Sequence, residues 1–289
     1  MRSVLGIDAA WTDTKPSGVA LAFETETGWR LRVVASSYER FHATAGNSTD
    51  ADASESEFIP DASRLLASCR ALCGRDVDLI AIDMPLSRTK ITGRRVSDDA
   101  VSKVYGSRKC STHTPSTSRP GPLSDELTSS FASCGYPLRT DRMGVPGLIE
   151  VYPHPALVEF SGARERLPYK SAKVRRYWPA ASVGERRTRL LSEWSGIVMR
   201  LDSEIAGVAE AMPMLAAGAS GTEIKGYEDM LDAVICAWVA IRALNGQALP
   251  FGDNDSAIWI PLPNATLSVP HIAGPAAPPD PPASDPGRV

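Results

Sequence analysis

Two unbroken apolar runs, Val4-Leu5-Gly6-Ile7 and Leu79-Ile80-Ala81-Ile82, each end in an aspartate, Asp8 and Asp83. Four consecutive β-formers without polar alternation predict strands buried on both faces. Strand-like stretches over 3–10, 17–24 and 29–37, punctuated by Pro16 and Thr27-Gly28, predict an antiparallel meander. An amphipathic stretch over 57–73, ended by Gly74, predicts a helix capped by Ser54 or an acidic neighbour. The run 77–82 then predicts a buried strand, and Leu148-Ile149-Glu150-Val151-Tyr152 predicts another. Helical patterns follow near 154–161, 170–177, 185–205 and 204–217. The strongest helix spans 227–245 and ends at Asn245-Gly246, and 257–260 reads as a short edge strand.

Three segments lack such a pattern. Residues 44–57 read as a mobile loop, and 269–289, dominated by Pro, Ala and Gly, as a disordered tail. Residues 84–146 are rich in Ser, Thr, Arg, Gly and Pro, and so long a loop within a compact domain is usually functional. The expected organisation is therefore one domain over 1–268, with 84–146 as a basic insertion or lid between the fourth and fifth strands.

A carboxylate at the end of a buried strand is expensive unless something compensates its charge. Asp8 and Asp83 both stand at such ends, and Asp232 lies inside Leu231-Asp232-Ala233 of the apolar helix pattern. Binding of a divalent cation is the usual physical reason to gather acids in this way. Asp229 and Asp232 are spaced i, i+3, which puts them on one helical face. Asp229 has a competing role as an acid near the positive end of a helix.

Composition alters this picture little, and charge distribution alters it more. At 289 residues with 43% hydrophobic and 22% charged residues, the chain has the make-up of a globular protein with a substantial core. The formal net charge of −3 conceals a basic middle, 84–195, where Lys and Arg clearly outnumber Asp and Glu, set within an acidic remainder. A basic segment beside an acid cluster suggests a surface that meets phosphates. Lys170 and Lys173, with Arg175 and Arg176 nearby, form a loosely basic stretch. Tyr105, Tyr169, Tyr177 and Trp178 lie among these charges as candidates for base stacking. Five cysteines at scattered spacings suggest reduced thiols in a cytoplasmic protein rather than a disulfide framework or zinc site. There is no signal-peptide pattern and no apolar run long enough for a membrane span.

Several motifs occur in a telling order. They are Gly6-Ile7-Asp8-Ala9-Ala10-Trp11 leading to Pro16-Ser17-Gly18-Val19-Ala20, and then Ile82-Asp83-Met84-Pro85-Leu86. Next come Gly93-Arg94-Arg95-Val96-Ser97-Asp98, Glu150-Val151-Tyr152-Pro153-His154-Pro155-Ala156, and Asp229 through Trp238. Over about 3–262 this series resembles domain of unknown function 429, a family described as predicted RNase H-like nucleases. The resemblance implies an α/β fold with an RNase H-like mixed five-stranded sheet flanked by helices and a long insertion after the fourth strand. It is also similar to Holliday-junction resolvases, which implies Asp8 as the first-strand acid, Asp83 as the fourth-strand acid, and Asp229 and Asp232 as the late-helix pair. Glu150 would be a further ligand or a supporting acid.

The implied activity is metal-dependent hydrolysis of nucleic-acid phosphodiesters, DNA or RNA, by a two-metal mechanism. Asp8, Asp83 and Asp232 would hold Mg²⁺ or Mn²⁺, which prefer oxygen ligands. Arg94, Arg95, Lys170, Lys173 and His154 are the candidate substrate-binding residues, His154 alternatively as a structural residue capping the following helix. Two other readings stay open. One is an ATP-binding phosphotransferase or ATPase on the same fold, with Thr12, Thr14, Ser17 and Gly18 touching phosphate. The other is a nucleic-acid-binding protein without catalysis.

Overall fold

The computed structural model describes residues 1–46 and 60–263. The readings of a mobile loop at 44–57 and a disordered tail at 269–289 fall wholly or mostly outside these residues, as does the Ser54 cap. The meander is present as β1 (Ser3–Asp8), β2 (Gly18–Thr25) and β3 (Gly28–Ala35), paired antiparallel in sequence. Two helices follow, α1 (Tyr38–Thr44) and α2 (Ala62–Cys73). The second starts at Asp61, whose carboxylate accepts from the Arg64 amide, and stops at Gly74, which adopts a left-handed φ of 69°. Strand β4 (Leu79–Ile82) then pairs parallel to β1, and β5 (Gly147–Val151) pairs parallel to β4.

The sheet is larger than the sequence predicts. The expected five-stranded RNase H-like sheet is corrected to an eight-stranded one in the order β6-β3-β2-β1-β4-β5-β8-β7. Three short strands account for the difference: β6 (Ile205–Ala206), β7 (Ala248–Gly252) and β8 (Ala257–Pro261). The helical pattern read over 204–217 fails because Gly207 takes a φ of 90° directly after β6, leaving only the short helix α8 (Val208–Ala211). The stretch 257–260 forms a strand but not an edge. The Asp253 carboxylate accepts from the Asp255 and Ser256 amides, both at 2.9 Å, and this closes a hairpin that lays β7 over the free side of β8.

The long insertion after β4 also contains more order than its composition suggests. It carries α3 (Val96–Tyr105), where the Asp98 carboxylate accepts from the Arg95 amide at 2.9 Å, and α4 (Pro122–Ser133), with proline in its first turn. The remaining helices are α5 (Pro153–Ser161), α6 (Val174–Tyr177) after a 3-10 turn at Ser171–Lys173, α7 (Val183–Glu204) and α9 (Gly221–Leu244). Among the described residues no helix is long and apolar enough to cross a membrane.

Strand alternation sorts the core into two layers. Leu5, Ile7, Val19, Leu21, Ile80 and Ile82 pack with α1, α2 and α4, whereas Val4, Ala20, Leu79 and Ala81 pack with α5, α7 and α9. The period of two therefore directs positions 6, 8 and 83 to the α9 side as well. At Gly6 and Gly18 the helix backbone lies directly against the sheet. A methyl group on Gly6 would sit 2.1 Å from the Ala233 carbonyl oxygen and 2.4 Å from the Ala237 nitrogen. One on Gly18 would sit 2.0 Å from the Asp229 carbonyl oxygen. Both obstacles are helix backbone, which does not yield locally.

Gly6→Ala should therefore destabilise the protein by about 3 kcal/mol or more. Gly93→Ala, whose added methyl meets nothing within 4 Å, should change stability little. Thermal or denaturant unfolding of the two variants measures the difference, and equal effects would contradict the close contact of α9 with β1.

Candidate functional site

Asp8 and Asp83 follow Ile7 and Ile82, which are partners in the parallel β1–β4 ladder. The Asp83 amide donates to the Ile7 carbonyl at 2.9 Å, extending that ladder to the last residue before the turn. The two carboxylates thus leave neighbouring strand ends on one face. Asp8 pairs across β2 with Gly18, the residue that touches the α9 backbone at Asp229. Asp232, one turn further along α9, is fully buried, and Glu228 and Asp229 are nearly so. The structure gathers Asp8, Asp83, Asp229 and Asp232 into one electrostatic unit, with Asp232 and Asp83 both acting on Asp8.

Two lysines meet this negative charge. The Lys170 ammonium binds the Asp232 carboxylate directly, and its Nζ is 3.7 Å from Glu228. The Tyr169 hydroxyl donates to the other Asp232 oxygen at 2.8 Å, and the Trp194 indole fixes the Tyr169 carbonyl at 2.7 Å. Lys225 binds Asp229 one helical turn away. Asp8 and Asp83 differ from these paired acids: no described residue donates a hydrogen bond to either side chain.

The electrostatic consequences follow from this asymmetry. Burial and then repulsion by Asp232 raise the Asp8 pKa well above the usual carboxylate range, with Lys170 opposing. The same two causes raise Asp83 to about 7. Both residues are partly exposed, yet protein packs closely enough around them for burial to be the largest influence. Burial also raises Asp232, although Lys170 and Tyr169 pull the other way. For Lys170, burial disfavours the charge, but Asp232, Tyr169, Glu228 and Asp8 outweigh it and hold the ammonium charged.

Glu150 and Arg95 form a second buried centre. The Arg95 guanidinium, with a side chain 7% exposed, bridges Glu150 and Asp98, and it donates to both Glu150 oxygens at 2.6 and 2.7 Å. Glu150 also accepts from the Leu86 amide at 2.8 Å, so it fixes the turn that follows Asp83. Arg94 is tied to Asp99 and Ser102 on α3 and to Thr114 in the loop beyond it. These interactions tie Arg94 to the insertion and Arg95 to both the insertion and β5. Of the other residues read as substrate contacts, Lys170 lies on Asp232, Lys173 is partly exposed, and His154 is buried between Tyr152 and Tyr169, with ring centroids 5.2 and 5.3 Å away. Tyr105 and Tyr169 are buried and present no open face to a base. The cleft of about 610 Å³ between the turn at 87–90 and α4 contains none of these acids.

The sequence reading missed Lys225, Glu228 and the pairing role of Lys170. The i, i+4 spacing of Lys225 and Asp229 carried a signal. The Lys170–Asp232 pair, 62 residues apart, carried none.

Among the described residues no group of three or more His, Cys, Asp or Glu side chains is arranged to hold a metal ion. Mg²⁺ does not need such a cage, because it commonly binds through one or two carboxylates and keeps its remaining positions for water and substrate phosphate. The unpartnered Asp8–Asp83 pair meets that requirement, whereas Asp232 is already engaged by an ammonium and a hydroxyl.

A family model described as "Protein of unknown function (DUF429)" matches residues 6–257. No curated protein and no solved structure matches the chain.

Removing Arg95 would leave Glu150 and Asp98 buried without their cation. Arg95→Ala should cost about 3–5 kcal/mol in denaturant unfolding, and a loss too small to measure would contradict the buried bridge. Asp83 offers a test of the first centre. Folded, it is protonated up to about pH 7, while its ordinary value is 3.8, so the folded form binds more protons between these limits. Its stabilising contribution is complete at low pH and is lost as pH rises through about 7. Without divalent metal, Asp83→Asn should flatten the decline in melting temperature over about pH 4–7. An equally steep decline in that variant would contradict the raised pKa.

Proposed function

We propose that this chain, which belongs to the DUF429 family, is a metal-dependent phosphodiesterase that hydrolyses nucleic acid at the Asp8–Asp83 pair. The supporting observation is the presence of two adjacent, unpartnered carboxylates beside an acid, Asp232, that already has its own positive partner in Lys170. Clustered acids of this kind gain nothing from binding a polyanion directly. They become useful when a cation stands between them and a phosphate.

Asp8 and Asp83 would hold one Mg²⁺ or Mn²⁺. Such an ion would supply Lewis-acid stabilisation of phosphoryl oxygens and a bound water more acidic than bulk water. Lys170 takes the place that a second cation would have in a two-metal arrangement. Its ammonium is held charged and fixed by Asp232, ready to offset negative charge developing on a phosphoryl group. Tyr169 holds Asp232, and so Lys170, in one orientation. Lys225 neutralises Asp229 and limits repulsion across the site. Glu150, bound to Arg95 and the Leu86 amide, is a positioning residue for the turn that carries Asp83. No nucleophilic side chain is required, since water is the attacking group.

The test is cleavage of a panel of single-stranded, duplex and branched DNA and RNA in Mg²⁺ or Mn²⁺. Asp8→Asn should lower turnover by at least about a hundredfold while retaining nucleic-acid binding. Turnover that persists in Asp8→Asn, or a wild-type protein that binds no divalent cation at neutral pH, would overturn the proposal.

A further inference from the structure

Beyond the lysines that neutralise the acids lies a group of cations that form no ion pair with an acid among the described residues. Arg166 is half-buried, and its Nε is enclosed without a hydrogen-bond partner. Its position is built rather than incidental. The Arg166 amide donates to the Arg108 carbonyl at 2.9 Å, and the Arg108 guanidinium holds the Ala163 and Arg164 carbonyls while binding Glu159. Lys109 pairs with Glu165 on the same loop. The acids of this region are therefore already engaged by Arg108 and Lys109, and neither forms an ion pair with Arg166.

The neighbours of Arg166 deepen the imbalance. The charges that reach Lys173 are those of Arg166, Arg176 and Lys170, and those that reach His113 are Lys173, Arg166 and Arg119. His154, 6% exposed, has an Nδ1 with no hydrogen-bond partner, and Arg166, Lys170, Lys173 and His113 all act on it. Burial and then these cations depress its pKa well below the usual histidine value, so its ring is neutral. Folded proteins rarely leave buried polar atoms unpaired, and like charges this close are costly unless an anion joins them.

The patch borders the carboxylate centre. Lys170 acts on Lys173 on one side and binds Asp232 on the other, and Tyr152 is reached by both Arg166 and Asp83. We propose that Arg166, Lys173 and His113, backed by the buried ring of His154, form a phosphate-binding subsite beside the Asp8–Asp83 pair. Arg166 supplies a planar set of donors suited to an oxyanion, and Lys173 supplies a mobile charge. The assignment deepens the hydrolase reading, on which it rests for what the phosphate belongs to: a substrate phosphate next to the one being cleaved, either an internal diester or a terminal monoester.

The experiment is calorimetric titration of the full chain with inorganic phosphate at neutral pH without divalent metal. The wild type should bind, and Arg166→Ala and Lys173→Ala should each weaken binding by about tenfold. Asp8→Asn should bind phosphate at least as well as the wild type. Both substituted cations are partly exposed, and a melting curve of each variant confirms that it folds. Oligonucleotides with and without a 5′-phosphate, presented to Asp8→Asn, separate the two sources. A preference for the phosphorylated form that disappears in Asp8→Asn/Arg166→Ala identifies a terminal monoester. Equal binding of both forms, weakened equally by Arg166→Ala, identifies an internal diester. Phosphate binding that is absent, or unchanged in both cation variants, overturns the subsite. If phosphate binds as expected but no nucleic acid is cleaved, the subsite stands and the hydrolase reading falls.

Discussion

A helix can approach a sheet only as closely as the side chains between them allow, and here two glycines remove those side chains at the point that matters. Gly6 and Gly18 bring the α9 backbone into direct contact with β1 and β2, at Ala233, Ala237 and Asp229. Alternation along β1 places Gly6 and Asp8 on the same face, so the contact that admits the helix also delivers its acids to the strand end. Ala233, Ala237 and Ala240 continue the close packing along α9, all fully buried. Without this approach the acids of the helix and those of the strands would belong to separate environments.

Bringing four carboxylates together creates a charge problem, and the chain resolves half of it internally. Asp232 and Asp229 receive lysines, and Asp232 also receives a tyrosine hydroxyl. Asp8 and Asp83 receive neither, and burial and then repulsion by Asp232 raise their pKa values. An unpaired acid in so enclosed a place is normally avoided, and this deficit is what the proposed cation would offset. Beside them, Arg166 and Lys173 show the complementary imbalance, positive charge for which the described residues supply no ion pair. A phosphate diester that carries its own cation would satisfy both sides at once.

Much of the site was legible because it depends on short-range periodicity. The β-former runs identified Asp8 and Asp83 as strand-end acids, and the helical period placed Asp229 and Asp232 on one face. The roles of Lys170, Tyr169 and Arg95 were not legible, since each is defined by a partner far away in the chain. The insertion was opaque for a different reason. In α3, Val96 and Val104 are exposed while Ser97 and Asp98 are buried, which inverts the usual pattern and hides the helix. The extra strands were missed because β6 is two residues long and β7 contains Pro250, both poor strand signals. The first five strands could be read locally, but the eight-stranded sheet depends on long-range pairing that no local window contains.

The most direct test of the central claim is anomalous diffraction from crystals soaked in Mn²⁺. The account predicts one strong peak coordinated by Asp8 and Asp83, with Lys170 still seated on Asp232. A peak held by Asp232 in place of Lys170, or none at all beside Asp8 and Asp83 at saturating Mn²⁺, would contradict it.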